Sequence, residues 1–211
     1  MNGILGFINL LFEEKDLDEA TRSQYVEIVN QSGQRLLDTI NDIIEISRIE
    51  AGGLEVNLDS VNLEDIMKYQ YDFFAPQARD KGLEFNTIEN IKGRNALIRT
   101  DRHKLEGILT NLIKNAIKFT TVGSVEIGND IREGQLWFYV KDSGRGIPEE
   151  KKRVIFDRFI QAEEHPSRPY EGSGLGLSIV HAYIEALGGS IQVESSEGAG
   201  STFVFTLPLL R

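Results

Sequence analysis

Asn111-Leu112-Ile113-Lys114-Asn115-Ala116-Ile117-Lys118-Phe119 closes a segment, Asp101 to Thr120, in which Leu105, Ile108, Leu109, Leu112, Ile113, Ala116 and Ile117 recur at helical spacing. Asp101 stands where a helix N-cap is wanted, since its carboxylate can accept from the first unpaired amides. Asn111 and Asn115 lie one turn apart on the same face, with Lys118 and Phe119 following at the helix end. Two amides, an ammonium and an aromatic ring therefore gather on one surface. An amide oxygen suits a hard cation such as Mg²⁺, which keeps most of its waters and takes further ligands from substrate phosphates. Either asparagine alone would read as an ordinary polar surface position.

Moving outward, the segments on either side mix α and β. Asn62 to Lys81 reads as a helix; Leu54-Glu55-Val56-Asn57-Leu58 and Leu83-Glu84-Phe85-Asn86 alternate as short strands. Ser124 to Gly128 and Leu136 to Val140 flank a turn at Arg132-Glu133-Gly134, and the last strands run Ser190 to Glu194 and Ser201 to Leu207. Three glycine-bearing stretches interrupt this pattern. Asp142-Ser143-Gly144-Arg145-Gly146-Ile147 puts an acid at a strand terminus, where it could accept an exocyclic amine. Gly172-Ser173-Gly174-Leu175-Gly176-Leu177 opens a helix running through Ile184, whose bare amides and dipole favour phosphate. Gly198-Ala199-Gly200-Ser201-Thr202-Phe203 leads into the final strand. Each alone would be a turn; together, in this order, they surround one cleft. No G-x-x-x-x-G-K-[ST] occurs, and Leu177 stands where a dinucleotide fingerprint wants glycine or alanine. Pro148, Pro166 and Pro169 fall in an aperiodic stretch read as a mobile loop.

The first 53 residues are different in kind. Ile4, Leu5, Ile8, Leu11 and Phe12 form one helical run, the acid-rich Lys15-Asp16-Leu17-Asp18 breaks it, and a longer apolar stripe follows from Tyr25 to Ile49. It ends at Gly52-Gly53. Two helices cannot bury so wide a stripe alone, so a four-helix homodimer bundle is expected. The formal charge of −10 repels phosphate backbones and anionic lipid, which argues against nucleic acid or a membrane surface as partner. The absence of cysteine excludes disulfides, a thiolate nucleophile and a Cys-based zinc site. No apolar run approaches the roughly 18 residues that cross a bilayer, so any membrane connection is expected outside this chain.

The four motifs, Asn111 to Phe119, Asp142 to Ile147, Phe156-Asp157-Arg158-Phe159 and Gly172 to Leu177, resemble the N, G1, F and G2 boxes of sensor histidine kinases. Met1-Asn2-Gly3-Ile4-Leu5-Gly6-Phe7 is similar to the residues that follow the family's phosphoacceptor box in hybrid kinases. The resemblance implies an α+β chain in two parts. Residues 1–53 would be a dimerising, histidine-phosphotransfer helical hairpin, and residues 54–211 an α/β sandwich ATP-binding domain of the Bergerat type, in the superfamily of gyrase, Hsp90 and MutL.

It further implies that Asn115 coordinates Mg²⁺ with Asn111 beside it, that Lys118 approaches the phosphates, and that Phe119 lies against the nucleotide. Asp142 would read the adenine amino group. Gly144, Gly146, Ile147, Gly172, Ser173, Gly174, Leu175, Gly176 and Leu177 would close around ATP, and Thr202 would support the adenine pocket. Pro148 to Glu171 would be the ATP lid, anchored by Phe156 and Phe159, with Arg158 a γ-phosphate contact. The superfamily's ATP hydrolases carry glutamate where this chain has Asn111, so transfer to a protein acceptor is favoured over hydrolysis. The implied partners are a second copy of the hairpin and the receiver domain of a response regulator. The implied setting is the cytoplasmic portion of a bacterial sensor, with or without an inner-membrane anchor. The competing readings are a non-catalytic, nucleotide-responsive dimerisation scaffold and an ATPase clamp. His103, His165 and His181 all lie outside residues 1–53. The chain therefore reads as a fragment starting just after the acceptor histidine, expected to bind ATP and Mg²⁺ without phosphorylating itself.

Overall fold

A computed structural model describes residues 2–14, 17–160 and 173–210. Helices α1 (Asn2–Glu13) and α2 (Glu19–Glu50) form the expected hairpin, with Phe7 against Tyr25 at 5.2 Å between ring centroids. Asp18 caps α2 by accepting from the Thr21 amide at 2.8 Å, and the helix stops at Ala51, before Gly52 at φ +70°. Leu36, Leu37, Ile40, Ile43 and Ile44 remain substantially exposed along α2.

The expected strand at Leu54 to Leu58 does not form. That segment is a tether held partly by side chains: Asp101 accepts from the Asn57 amide at 3.0 Å, and the Lys104 ammonium donates to the Glu55 carbonyl at 2.6 Å. Pairing begins one residue later. Strand β1 (Asp59–Asn62) runs antiparallel to β3 (Leu97–Thr100), a short strand that the sequence pattern did not reveal. Between them come α3 (Leu63–Asp80) and β2 (Glu84–Glu89). Helix α4 (Arg102–Phe119) follows, then β4 (Ser124–Arg132) and β5 (Gln135–Asp142), α5 (Gly176–Ala186), β6 (Ser190–Ser195) and β7 (Ser201–Pro208).

The main sheet has the order β2-β4-β5-β7-β6, parallel only between β2 and β4, which α4 connects as a crossover. The turn between β4 and β5 uses left-handed Glu133 and Gly134, the conformation of a tight hairpin. One face of the sheet is buried. Leu136, Phe138 and Val140 of β5 and Phe203, Phe205 and Leu207 of β7 point the same way, with Phe138 stacked on Phe205 at 4.9 Å. Leu105, Ile108, Leu109, Leu112 and Ile113 of α4 are fully or almost fully buried within the same core. Each contributes about 1.5–3 kcal/mol on burial.

Asp101 sets the start of α4 as foreseen, but it does more than cap. Its side chain accepts from the Lys104 amide at 3.0 Å and pairs with the Lys104 ammonium at 2.8 Å, both residues being buried. Burial pushes the Asp101 carboxyl up, and its bonds to Lys104 and to the Asn57 amide outweigh this, leaving it below the ordinary value. Asp101→Ala strands a buried ammonium and is expected to cost about 3 kcal/mol of stability at pH 7. Because the folded carboxyl titrates lower than the unfolded one, this stabilisation is present above about pH 4 and is lost as pH falls further. Parent and variant melting curves should therefore converge in acid; a constant gap from pH 7 to pH 3 would contradict this account.

Candidate functional site

A cleft of about 750 Å³ opens between α4, the ends of β5 and β7, the start of α5 and the side of α2. Eleven of the residues singled out from sequence line it: Asn111, Asn115, Lys118, Phe119, Asp142, Gly146, Ile147, Ser173, Gly174, Gly176 and Leu177. Its chemistry is graded from end to end.

At one end sits Asp142. The alternation that turns Leu136, Phe138 and Val140 inward carries on to the last residue of β5, so a carboxylate arrives in an apolar layer beside Phe203 and Ile147, 8% exposed. Burial raises its pKa, and the Gly144 amide, donating to Oδ1 at 2.8 Å, and the Ser201 backbone pull it back. The result is a desolvated acceptor at the floor of a pocket. Close backbone approach keeps it there, because a Cβ at Gly200 (φ +85°) would overlap the Asp142 carbonyl oxygen.

The other end is built from α4 and the start of α5. Asn111 donates through Nδ2 to the Gly107 carbonyl at 3.0 Å, which leaves its Oδ1 directed toward Gly176, where an added Cβ would lie 2.8 Å from it. The two motifs, 65 residues apart in sequence, thus touch through a missing side chain. The amides opening α5 have no side-chain cap at Leu175, so the positive end of that helix faces the cleft. Lys118 Nζ and the Arg145 guanidinium each lie 4.6 Å from the Phe119 ring centroid, placing two cations and an aromatic face midway along the cleft. Such an arrangement accepts a polyanion carrying a polar aromatic group. Among the described residues no three His, Cys, Asp or Glu side chains converge into a metal site, so a cation here would draw on amide oxygens and on its substrate.

Five expected residues fall elsewhere. Thr202 is one residue out of phase: in β7 it is Ser201 and Phe203 that face the cleft, and Thr202 lies on the opposite side between Lys141 and Glu194. Ser201, paired across from Asp142, takes the position expected of Thr202. Arg158 points away from the cleft and ion-pairs with Glu50 at the end of α2. Phe159 is left-handed at φ +61° and 70% exposed, so its ring is no anchor among the described residues; its amide donates to the Gly174 carbonyl at 3.0 Å. Phe156 does act as an anchor, 5.7 Å from the His181 ring and 6.4 Å edge-on to Phe203. Leu175 is buried against Ile46 and Ile179 rather than lining the cleft, and Gly144 supports Asp142 from behind. Gly172, His165 and residues 161–171 of the expected lid lie outside the described residues. His103 is exposed at the start of α4.

The structure adds lining residues that sequence reading missed. Arg145 was visible only as a spacer between two glycines. Lys81, whose ammonium donates to the Ile117 carbonyl at 3.2 Å at the end of α4, and the α2 residues Arg35, Asp38 and Asp42 carry no local signal at all.

Comparison with known proteins gives a consistent result. Residues 100–211 match the family of histidine kinase-, DNA gyrase B- and HSP90-like ATPases, and residues 1–52 match the His Kinase A (phospho-acceptor) domain. The autoinducer 2 sensor kinase/phosphatase LuxQ of Vibrio harveyi is 37% identical over 99% of this chain and 25% of its own length. The sensor protein GacS of Pseudomonas syringae is 36% identical over 99% of this chain and 23% of its own. The chain spans about a quarter of the length of these curated relatives. Full-length ShkA in complex with AMPPNP is similar in structure, with TM-score 0.78 and 31% identity over 99% of this chain and 43% of that one. Histidine kinase ThkA in complex with the response regulator protein TrrA has TM-score 0.72 and 26% identity, covering 98% of this chain and 56% of that one.

The contacts of two glycines separate fold from site. At Gly200 a side chain meets backbone in a left-handed conformation, so Gly200→Ala should lower the melting temperature markedly. At Gly176 it meets only the tip of Asn111 in the first residue of a helix, where alanine is the better helix former by up to about 1 kcal/mol. Gly176→Ala should therefore melt at or above the parent temperature while binding nucleotide more weakly. Unfolding of Gly176→Ala, or unchanged binding, would show that the contact with Asn111 does not shape the site.

Proposed function

The chain belongs to the histidine kinase-, DNA gyrase B- and HSP90-like ATPase family, and from that premise we propose that it is the ATP-binding and dimerisation core of a sensor histidine kinase, passing the γ-phosphoryl group of ATP to a histidine for relay to a response-regulator aspartate. The observation that carries this reading is the opposition, across one cleft, of the buried Asp142 carboxylate and the Asn111, Asn115 and α5 amide end.

Asp142 accepts the exocyclic amine of adenine, a bond strengthened by the low local dielectric and unavailable to guanine, which offers a carbonyl at that position. Ile147, Leu177 and Phe203 pack on the base. Lys118 and the start of α5 meet the phosphates, and Asn115, with Asn111 alongside, gives an amide oxygen to Mg²⁺. Magnesium in this position would neutralise charge on the phosphate oxygens during transfer. Asn111 has no basicity with which to activate water, so the residues present favour positioning for transfer over hydrolysis. The exposed apolar face of α2 supports dimerisation of residues 1–53 as a four-helix bundle, with residues 54–211 as the catalytic part. A response-regulator receiver domain is the proposed recipient of the phosphoryl group.

Calorimetric titration with a non-hydrolysable ATP analogue should give saturable binding tighter than about 1 mM, strengthened by Mg²⁺ and abolished in Asp142→Ala. Because residues 1–53 contain no histidine, incubation with ATP should leave no acid-labile phosphate on the hairpin. Absence of nucleotide binding by the parent chain would overturn the assignment.

A further inference from the structure

One wall of the cleft is not part of the ATP-binding domain. Helix α2 lies against the start of α5, burying Ile46 with Leu175 and Ile179. On the cleft side of this contact Asp42 accepts a hydrogen bond from the Ser173 hydroxyl at 2.6 Å, and Asp38 pairs with Lys114 at 3.5 Å. Ser173 is the polar side chain of the loop that opens α5, and its oxygen also accepts from the Leu175 amide at 3.2 Å. Asp42 thus reaches the mouth of the helix end that faces the cleft, while Asp38 engages an ammonium of the Asn111 to Phe119 motif. Arg35 lines the same wall, so the α2 contribution is one cation and two anions, a net single negative charge directed into an anion site.

We propose that α2 is an electrostatic gate on the cleft, in which Asp42 holds Ser173 and must give way before a nucleoside triphosphate can seat on the amides opening α5. The proposal rests on the nucleotide-binding reading above. A phosphate arriving at Gly174 to Gly176 would share the Ser173 hydroxyl with Asp42 and meet a carboxylate with little water between them. The environment of Asp42 already disfavours its charge, through burial first and repulsion from Asp38, against which Ser173 and Lys114 pull. A further anion adds to that cost. Relief comes if α2 withdraws, and by linkage whatever withdraws α2 tightens the triphosphate by the same factor. Such coupling would make triphosphate occupancy and the Asp42–Ser173 contact mutually exclusive, while the hairpin stays able to meet the domain through other contacts.

The gate is selective by charge, which gives its test. The parent chain, Asp42→Asn and Asp42→Ala, each first checked for a native melting transition, are titrated with adenosine, ADP and a non-hydrolysable ATP analogue in Mg²⁺. Both variants should bind the triphosphate about fivefold or more tightly than the parent, ADP by a smaller factor, and adenosine equally. Equal triphosphate affinity in all three chains, or adenosine tightening in step with the triphosphate, would overturn the gate while leaving the nucleotide site intact. Binding of no ligand by any of the three would overturn the site reading and the gate together.

Discussion

The buried pair between Asp101 and Lys104 fixes where α4 begins and how it is rotated, and the polar end of the cleft is counted from that point. Capping at Asp101 places Asn111 and Asn115 on a stripe adjacent to the buried face of Leu105, Ile108 and Leu112. A start one residue later would turn every side chain by about 100° and carry the asparagines out of the cleft. The same two side chains hold the backbone of Glu55 and Asn57, so the tether leaving the hairpin is fastened to the residue pair that phases the site. Buried charge is poor evidence for stability on its own, but removal of one partner is costly, which makes the pair an effective determinant of register.

The site also illustrates how a cost is accepted for chemistry. A carboxylate on the inward side of β5 replaces what the alternation of Leu136, Phe138 and Val140 would otherwise fill with another hydrophobe. Its desolvation is only partly offset by the Gly144 amide and the Ser201 backbone. An acceptor held dry and immobile can discriminate among bases in a way that a hydrated one cannot, because a mismatched donor pattern leaves a buried acceptor unsatisfied.

Much of this was legible in the sequence, for identifiable reasons. The α4 stripe, the Asp101 cap and the β4–β5 turn are encoded by local periodicity and turn chemistry, and all formed as read. The four motifs were legible because glycines and asparagines have narrow uses when they cluster. What failed was phase and partnership. Leu54 to Leu58 alternates like a strand but pairs with none, and Asp101 and Lys104 take up the Asn57 amide and the Glu55 carbonyl instead. Thr202 and Ser201 are chemically alike neighbours, and only the register of β7 against Asp142 separates them. Arg158 belongs to Glu50, 108 residues earlier, a pairing that no local pattern reports.

Helix α2 resolves what would otherwise be a conflict between two demands. It contacts the start of α5 and also presents the apolar face proposed for a bundle. At about 100° per residue, Asp38, Asp42, Glu45, Ile46 and Ile49 gather on one side, and all five have partners there: Lys114 for Asp38, Ser173 for Asp42, Tyr183 for Glu45, and the cluster of Leu175 and Ile179 for Ile46 and Ile49. Leu36, Leu37, Ile40, Ile43 and Ile44 gather about 170° away and stay exposed. The faces are opposite, so docking α2 on the cleft does not occlude the surface through which two hairpins could associate. A bundle could therefore form with its nucleotide clefts covered or uncovered. The side of α2 that touches Ser173 is free to act as a variable contact because the exposed apolar surface proposed for assembly lies on the other side.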